Sequence, residues 1–368
     1  MSPPGDLCYN RLHARPLPPA APTAAPPLFT RPAFVPAYHI ALQSSPAQIY
    51  VARYYQLPYP SLVPVQEFVC DVGITANCNA VVTDCVWRVF SGDDVFSVRQ
   101  IIGRNLMTLT GGEVGVVPGL GLALRRCYFL EPTILELDRL RVSVHAYEHD
   151  TQAPLSAQID IPLRTFDQKT DLRLPFADGA WHAIMGNDWS DLHKADPVSQ
   201  AFAYDFVRLG PDGSMFAGDG LRNQDHYAWD QVVLAPAPGK VLLTRSDLPD
   251  SEPGRPPALG SDFWQTNPRL ITGNTVVIGH GHGECSYFGH LQQHSLTVSE
   301  GDYVRRGQPI ARVGNSGLSQ GPHLHYHLQS GPNLFVDQGL PVHFSRFRTT
   351  GDFIERGIVP SRAIVSPG

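Results

Sequence analysis

The stretch Gly321-Pro322-His323-Leu324-His325-Tyr326-His327 sets three imidazoles at alternate positions, with Leu324, Tyr326 and then Leu328 between and after them. Side chains alternate across a strand, so this pattern reads as a β-strand with His323, His325 and His327 on one face and apolar groups on the other. Neighbours in the histidine row are about 6.6 Å apart and the outer pair about 13 Å apart. Two adjacent imidazoles can converge on one ion with Zn–N bonds of about 2.0–2.1 Å, whereas all three cannot without bending the strand. The expectation is therefore one or two metal ligands plus a neighbour with another task. The apolar face argues for a packed strand rather than a histidine-rich surface, and a packed strand aims its polar face at something definite.

Working outward, the strand follows a turn-rich loop, Gly314-Asn315-Ser316-Gly317-Leu318-Ser319-Gln320. Further upstream come Gly301-Asp302-Tyr303-Val304 and Arg306-Gly307-Gln308-Pro309-Ile310, then Tyr287-Phe288-Gly289-His290-Leu291 and Gly273-Asn274-Thr275-Val276-Val277-Ile278. In this order and spacing these segments resemble the M23 family of zinc metallopeptidases, the lysostaphin- and LytM-like endopeptidases that cut peptidoglycan peptides. The family's G-x-S-G-x-S-x-G-P-H-L-H loop is matched by residues 314–325. The resemblance spans roughly residues 186–345, under half of the chain.

That resemblance implies a zinc ion held by Asp205 in Phe202-Ala203-Tyr204-Asp205-Phe206, by His325, and by one upstream histidine. The usual family position for the upstream ligand, four residues before the aspartate, is Ala201 here. A longer family variant places it at His193, with His182 or Asp188 as substitutes. Two histidines and one aspartate leave a fourth tetrahedral position open for the water that hydrolytic zinc sites activate. His323 and His290 match the family's catalytic histidines, one to take the water proton and the other to stabilise the oxyanion or protonate the leaving amine. His327 and Tyr287 are candidates for lining the groove or for partnering the far ring nitrogen of a ligand histidine. The alternative reading is an inactive M23-like module that binds peptidoglycan or regulates another hydrolase. Retention of Asp205, His290, His323 and His325 argues against it.

The remaining histidines read more plainly. Gly279-His280-Gly281-His282-Gly283 is rich enough in glycine to be a turn rather than a metal tract, and His294 lies near the same hairpin. His226 belongs to a loop near the groove. Strands such as Pro238-Gly239-Lys240-Val241 also resemble the hybrid-motif repeats of biotinyl and lipoyl carrier domains. A carrier needs an exposed lysine at a hairpin tip, which this hairpin lacks, and that reading explains none of the histidines.

A chain of 368 residues with 42% hydrophobic content can bury a substantial core and is long enough for two domains. Its net charge of −6 gives no electrostatic footprint for nucleic acid. No apolar run reaches the ~18 residues of a membrane span. With 34 prolines and 33 glycines, a mainly β fold is expected. Residues 1–36 hold ten prolines and read as a disordered tail. That tail lacks the basic and unbroken apolar regions of a signal peptide, which sits awkwardly with the extracytoplasmic setting that the family suggests.

Residues 37–180 read as a β-sandwich-like domain, from alternating segments such as 47–51, 82–90 and 140–144. Residues 186–345 follow as the peptidase domain, an antiparallel β domain with an open groove, and 346–368 as a C-terminal extension. Six cysteines contain no C-x-x-C pair, so a second zinc site is not expected. A disulfide such as Cys70–Cys78 would mark an oxidising compartment, and free thiols a reducing one. The proline-rich insertion Asp247–Pro257, continuing to Trp264, is a long loop and the place expected to set substrate choice.

Overall fold

The computed structural model describes residues 38–56, 63–186, 198–255, 257–260, 263, 266–349 and 351–368. Alternating and β-branched segments form most of it as strands. The first nine are β1 (Ile40–Ser45), β2 (Ile49–Gln56), β3 (Val63–Ala76), β4 (Ala80–Ser91), β5 (Asp94–Ile102), β6 (Gly115–Val116), β7 (Leu122–Glu131), β8 (Arg139–Glu148) and β9 (Pro154–Thr165). In one layer β3 pairs with β1, β2 and β7, and in the other β4 and β8 pair with β5, β6 and β9. A short parallel pairing of β2 with β9 joins the layers along one seam.

Every second residue of β3 from Phe68 to Ile74 faces the space between the layers and is buried there with Trp87, Val89, Leu140 and Val142. Phe129 stacks on Phe68 at 4.8 Å and meets Trp87 from the facing layer at 5.5 Å. Aromatic contacts of this kind bridge two layers at interior packing density. The described cysteines Cys70, Cys78, Cys85, Cys127 and Cys285 are free thiols, so the Cys70–Cys78 pairing does not form. Cys70 instead faces Cys127 across the β3–β7 ladder. Burial pushes the Cys85 and Cys127 thiols well up.

The later strands are β10 (Trp181–Met185), β11 (Tyr204–Arg208), β12 (Val232–Leu234), β13 (Gly239–Arg245), β14 (Asn274–Gly279), β15 (Cys285–Leu291) and β16 (Tyr303–Val304). They continue as β17 (Pro309–Arg312), β18 (Leu324–Gln329), β19 (Gly339–Leu340), β20 (Phe344–Thr349), β21 (Asp352–Gly357) and β22 (Ile364–Pro367). All but β12 and β17 belong to one antiparallel sheet in the order β16-β13-β14-β15-β18-β11-β10-β22-β20-β21, with β19 against β18. The histidine strand β18 is thus central, between β15 and β11. Leu324, Tyr326 and Leu328 point into a core shared with Tyr204, Phe206 and Phe288, and Phe344, Phe347 and Val365 from the last strands pack into the same core. The opposite face carries the histidine row. A smaller cluster, Ala52 and Val69 against Ala201 and Phe202, joins the sandwich to the segment that leads into β11.

Among the described residues no helix is long and apolar enough to cross a membrane.

Candidate metal and catalytic site

The ladder registers alone bring the site together. Asp205 on β11 and His325 on β18 are cross-strand partners, and Gly289 on β15 faces His325 from the other side. Tyr204 and Phe206 turn into the core, so Asp205 turns the other way, toward the histidine row. Gly289 is required by close approach, since a Cβ there would lie 3.1 Å from the Thr272 carbonyl oxygen and 3.4 Å from His325 Cδ2.

Asp205 Oδ1 lies 3.0 Å from His325 Nδ1 and 3.5 Å from His323 Nε2. His290 enters from the end of β15, its ring centroid 4.7 Å from that of His323 and 5.8 Å from that of His325. Its φ of 55° lies in the left-handed region that non-glycine residues seldom enter, a conformation that clusters at functional sites. The Thr272 carbonyl accepts the His290 backbone N–H at 2.6 Å, and the Ser316 carbonyl accepts from Nδ1 at 2.7 Å. His323 donates from Nδ1 to the Gly321 carbonyl at 2.8 Å. Both rings therefore carry their proton on Nδ1 and present Nε2 to the site. Burial, with His323 and His325 alongside, pushes His290 well below the usual imidazole range, against the smaller opposing pull of Asp205.

A hydrogen-bond chain fixes the tautomer of His325. Gln329 donates its amide N–H to the Gly331 carbonyl at 2.6 Å, which turns its Oε1 toward His327 Nε2 at 2.8 Å. His327 must then carry its proton on Nε2 and accept at Nδ1 from His325 Nε2, 3.0 Å away. Neutral His325 then turns an Nδ1 lone pair toward the Asp205 carboxylate, whereas a protonated His325 donates to it. A proton or a metal ion held between that nitrogen and the carboxylate oxygen satisfies both. An imidazole nitrogen and a carboxylate oxygen are zinc ligand types, and the partner on the far ring nitrogen is what an orienting neighbour of a ligand supplies. These residues fit zinc.

Among the described residues no cluster of three or more His, Cys, Asp or Glu side chains is arranged to hold a metal. The upstream ligand expected at His193, and its substitute Asp188, fall outside the described residues. His182 lies on β10 opposite Val207, three residues before Met185, the register partner of Asp205. Tyr287 stacks on His327 at 4.6 Å and shares a 2.7 Å hydrogen bond with Thr272, so the strand parity seen in sequence carries both beside the site. Replacing His327 with Phe removes the acceptor for His325 Nε2–H. Zinc affinity is expected to fall about 10–100-fold by competition with a chromophoric chelator, with the fold intact by circular dichroism.

Other histidines serve the frame. His280 bonds the Pro238 carbonyl and the Ser286 hydroxyl, both at 2.8 Å, while His282 and His294 sit at positive-φ turn positions. His226 bonds the Gly220 carbonyl, and a Cβ on Gly321 would lie 3.6 Å from its ring, which places it against the loop before His323. A cleft of about 540 Å³ opens beside Tyr287, lined also by Thr275, Leu270, Leu334, Arg245 and Glu300.

Sequence reasoning missed Gln329, Thr272 and Ser316. Gln329 shares the parity of the histidine row and could have been found that way. Thr272 and Ser316 hold His290 through their backbone carbonyls, a role that leaves no signature in side-chain identity.

Residues 227–337 match the sequence model of peptidase family M23, and that stretch of the chain is an M23 peptidase domain. It includes His290, His323 and His325, while Asp205 lies upstream of it. Over 63 residues, 17% of this chain and 14% of the relative, the sequence is 46% identical to the peptidoglycan DD-endopeptidase ShyA of Vibrio cholerae. Over 110 residues, 30% of this chain and 23% of the relative, it is 46% identical to the murein hydrolase activator EnvC of Escherichia coli K12. The matches thus span less than a quarter of the length of either relative. Among solved structures, the M23 metalloprotease pseudoalterin is 19% identical, with 53% of this chain and 86% of that one covered and a TM-score of 0.30.

Proposed function

We propose that this chain is a zinc endopeptidase that hydrolyses peptide bonds of bacterial cell-wall peptidoglycan. The observation that carries the reading is His325 Nδ1 set 3.0 Å from Asp205 Oδ1, with His290 and His323 beside them. Asp205 and His325 would hold the zinc together with an upstream ligand, His193 on the family pattern. Bound zinc supplies Lewis acidity, polarising the scissile carbonyl and making water a nucleophile near neutral pH.

The chain's own residues supply the rest. His323 and His290 each have Nδ1–H committed to a backbone carbonyl, so each offers Nε2 as a proton acceptor. One takes the proton of the attacking water, and the pair returns a proton to the leaving amine as the C–N bond breaks. His327 and Gln329 hold His325 in the tautomer that the metal needs, and the cleft beside Tyr287 receives the peptide on one side of the scissile bond.

The match to a murein hydrolase activator favours a second reading, a module that regulates a separate hydrolase. Incubation of the zinc-loaded full chain with purified peptidoglycan decides between them. Peptidase action releases new primary amines, stops when zinc is chelated and resumes when it is restored. An activator alone releases none.

A further inference from the structure

The proline-rich insertion does not behave as a free surface excursion. Leu248 is held by both ends of the Asn274 amide, each at 2.8 Å, and Asn274 also donates to the Leu291 carbonyl at 3.0 Å. Asp250 Oδ1 accepts the backbone N–H of Asn315 at 2.7 Å, and its Oδ2 accepts that of Gln293 at 2.9 Å. Ser251 and Asn315 exchange two hydrogen bonds, backbone N–H to carbonyl at 3.0 Å and side-chain amide to carbonyl at 2.8 Å. Gly254 N–H donates to the Gln320 carbonyl at 2.9 Å. Residues 248–254 of the insertion therefore follow the loop 315–320, and that loop leads directly to His323.

The two segments that Asp250 joins are the ones that position the histidine pair. Gln293 lies three residues after His290. Asn315 precedes Ser316, whose carbonyl accepts the His290 Nδ1–H. Three stretches of backbone meet at this point, since a Cβ on Gly314 would lie 2.3 Å from the Gln292 nitrogen and 2.6 Å from Asp250 Oδ1. A carboxylate is the side chain that suits it. It offers an acceptor to each of two N–H donors, whereas an amide would turn an NH₂ donor against one of them. Hydrogen bonds to a partly buried carboxylate are also of the stronger, charge-assisted kind.

We propose that Asp250 is a positioning residue for the peptidase reaction, clamping the His290 segment to the Ser316 loop so that His290 keeps its Nδ1–H tautomer and its Nε2 stays aimed at the site. The assignment rests on the zinc-peptidase reading and gives the insertion a task in turnover in place of the substrate selection expected from sequence.

The test compares the zinc-loaded full chain with Asp250→Asn, and with Glu252→Gln as a control on an exposed side chain of the same insertion. Steady-state hydrolysis of a cross-linked peptidoglycan peptide is measured beside the imidazole ¹⁵N resonances, with His290 assigned by comparison with His290→Gln. Asp250→Asn is expected to keep its zinc while kcat falls about 100-fold, the scale of a small misplacement of catalytic groups. KM should stay within about twofold. The His290 resonances should move from the single Nδ1–H tautomer toward a mixture, and Glu252→Gln should match wild type in all of these.

Unchanged kcat with an unchanged His290 pattern overturns the proposal. So does an effect confined to KM, which would return the insertion to substrate selection. Should Asp250→Asn fail to fold, Asp250→Glu decides on the same criteria, because its extra methylene displaces both acceptors while keeping the charge. A wild-type chain that hydrolyses nothing contradicts the peptidase reading, and the His290 comparison still decides the role of Asp250.

Discussion

His325→Ala is expected to abolish zinc binding and hydrolysis together. The side chain is 1% exposed, bonded on one nitrogen to His327 and set with the other against Asp205, so no neighbour can move in to replace it. On the proposed ligand set, this substitution removes the imidazole opposite Asp205 and with it the means of activating water near neutral pH. Bound zinc should drop from about one per chain to background, and turnover by roughly 1,000-fold or more. Elemental analysis after dialysis, paired with amine release from peptidoglycan, checks both. The imidazole is buried in a polar chain rather than in the apolar core, so the variant should remain folded by circular dichroism.

His323→Ala separates chemistry from metal binding. Its Nδ1 is committed to Gly321 and its Nε2 faces the site from the strand end, 3.5 Å from Asp205. Removing a proton-transfer group of this kind costs about 100- to 10,000-fold in turnover. Zinc content should stay at the wild-type level, because Asp205 and His325 are untouched. Equal losses in kcat and kcat/KM are expected, as for a group that acts only in the transition state. A variant that loses zinc as readily as His325→Ala would make His323 a ligand and require the two roles to be reassigned.

The histidine strand was legible because its information is local. Alternation over 323–328 sets which groups share a face, and the structure keeps that division, with Leu324, Tyr326 and Leu328 in the core. The mainly β fold with a central antiparallel sheet was legible for the same reason. Asp205 is different. Its pairing with His325 joins residues 120 positions apart, and no periodicity within either strand specifies that register. Only the resemblance to M23 peptidases pointed to it. The Asp250 clamp was not legible at all, since its partners are the backbone N–H groups of Asn315 and Gln293, and any residue types there would present the same donors. The cysteines show the converse limit. The sequence left a disulfide such as Cys70–Cys78 and free thiols equally open, whereas the β3–β7 register sets Cys70 opposite Cys127.

The most direct test is anomalous diffraction at the zinc edge from crystals of the zinc-loaded full chain. The account predicts one peak within about 2.0–2.2 Å of both His325 Nδ1 and an Asp205 carboxylate oxygen, with His325 Nε2 still bonded to His327. No peak at that position, or a zinc bound through His325 Nε2, would contradict it.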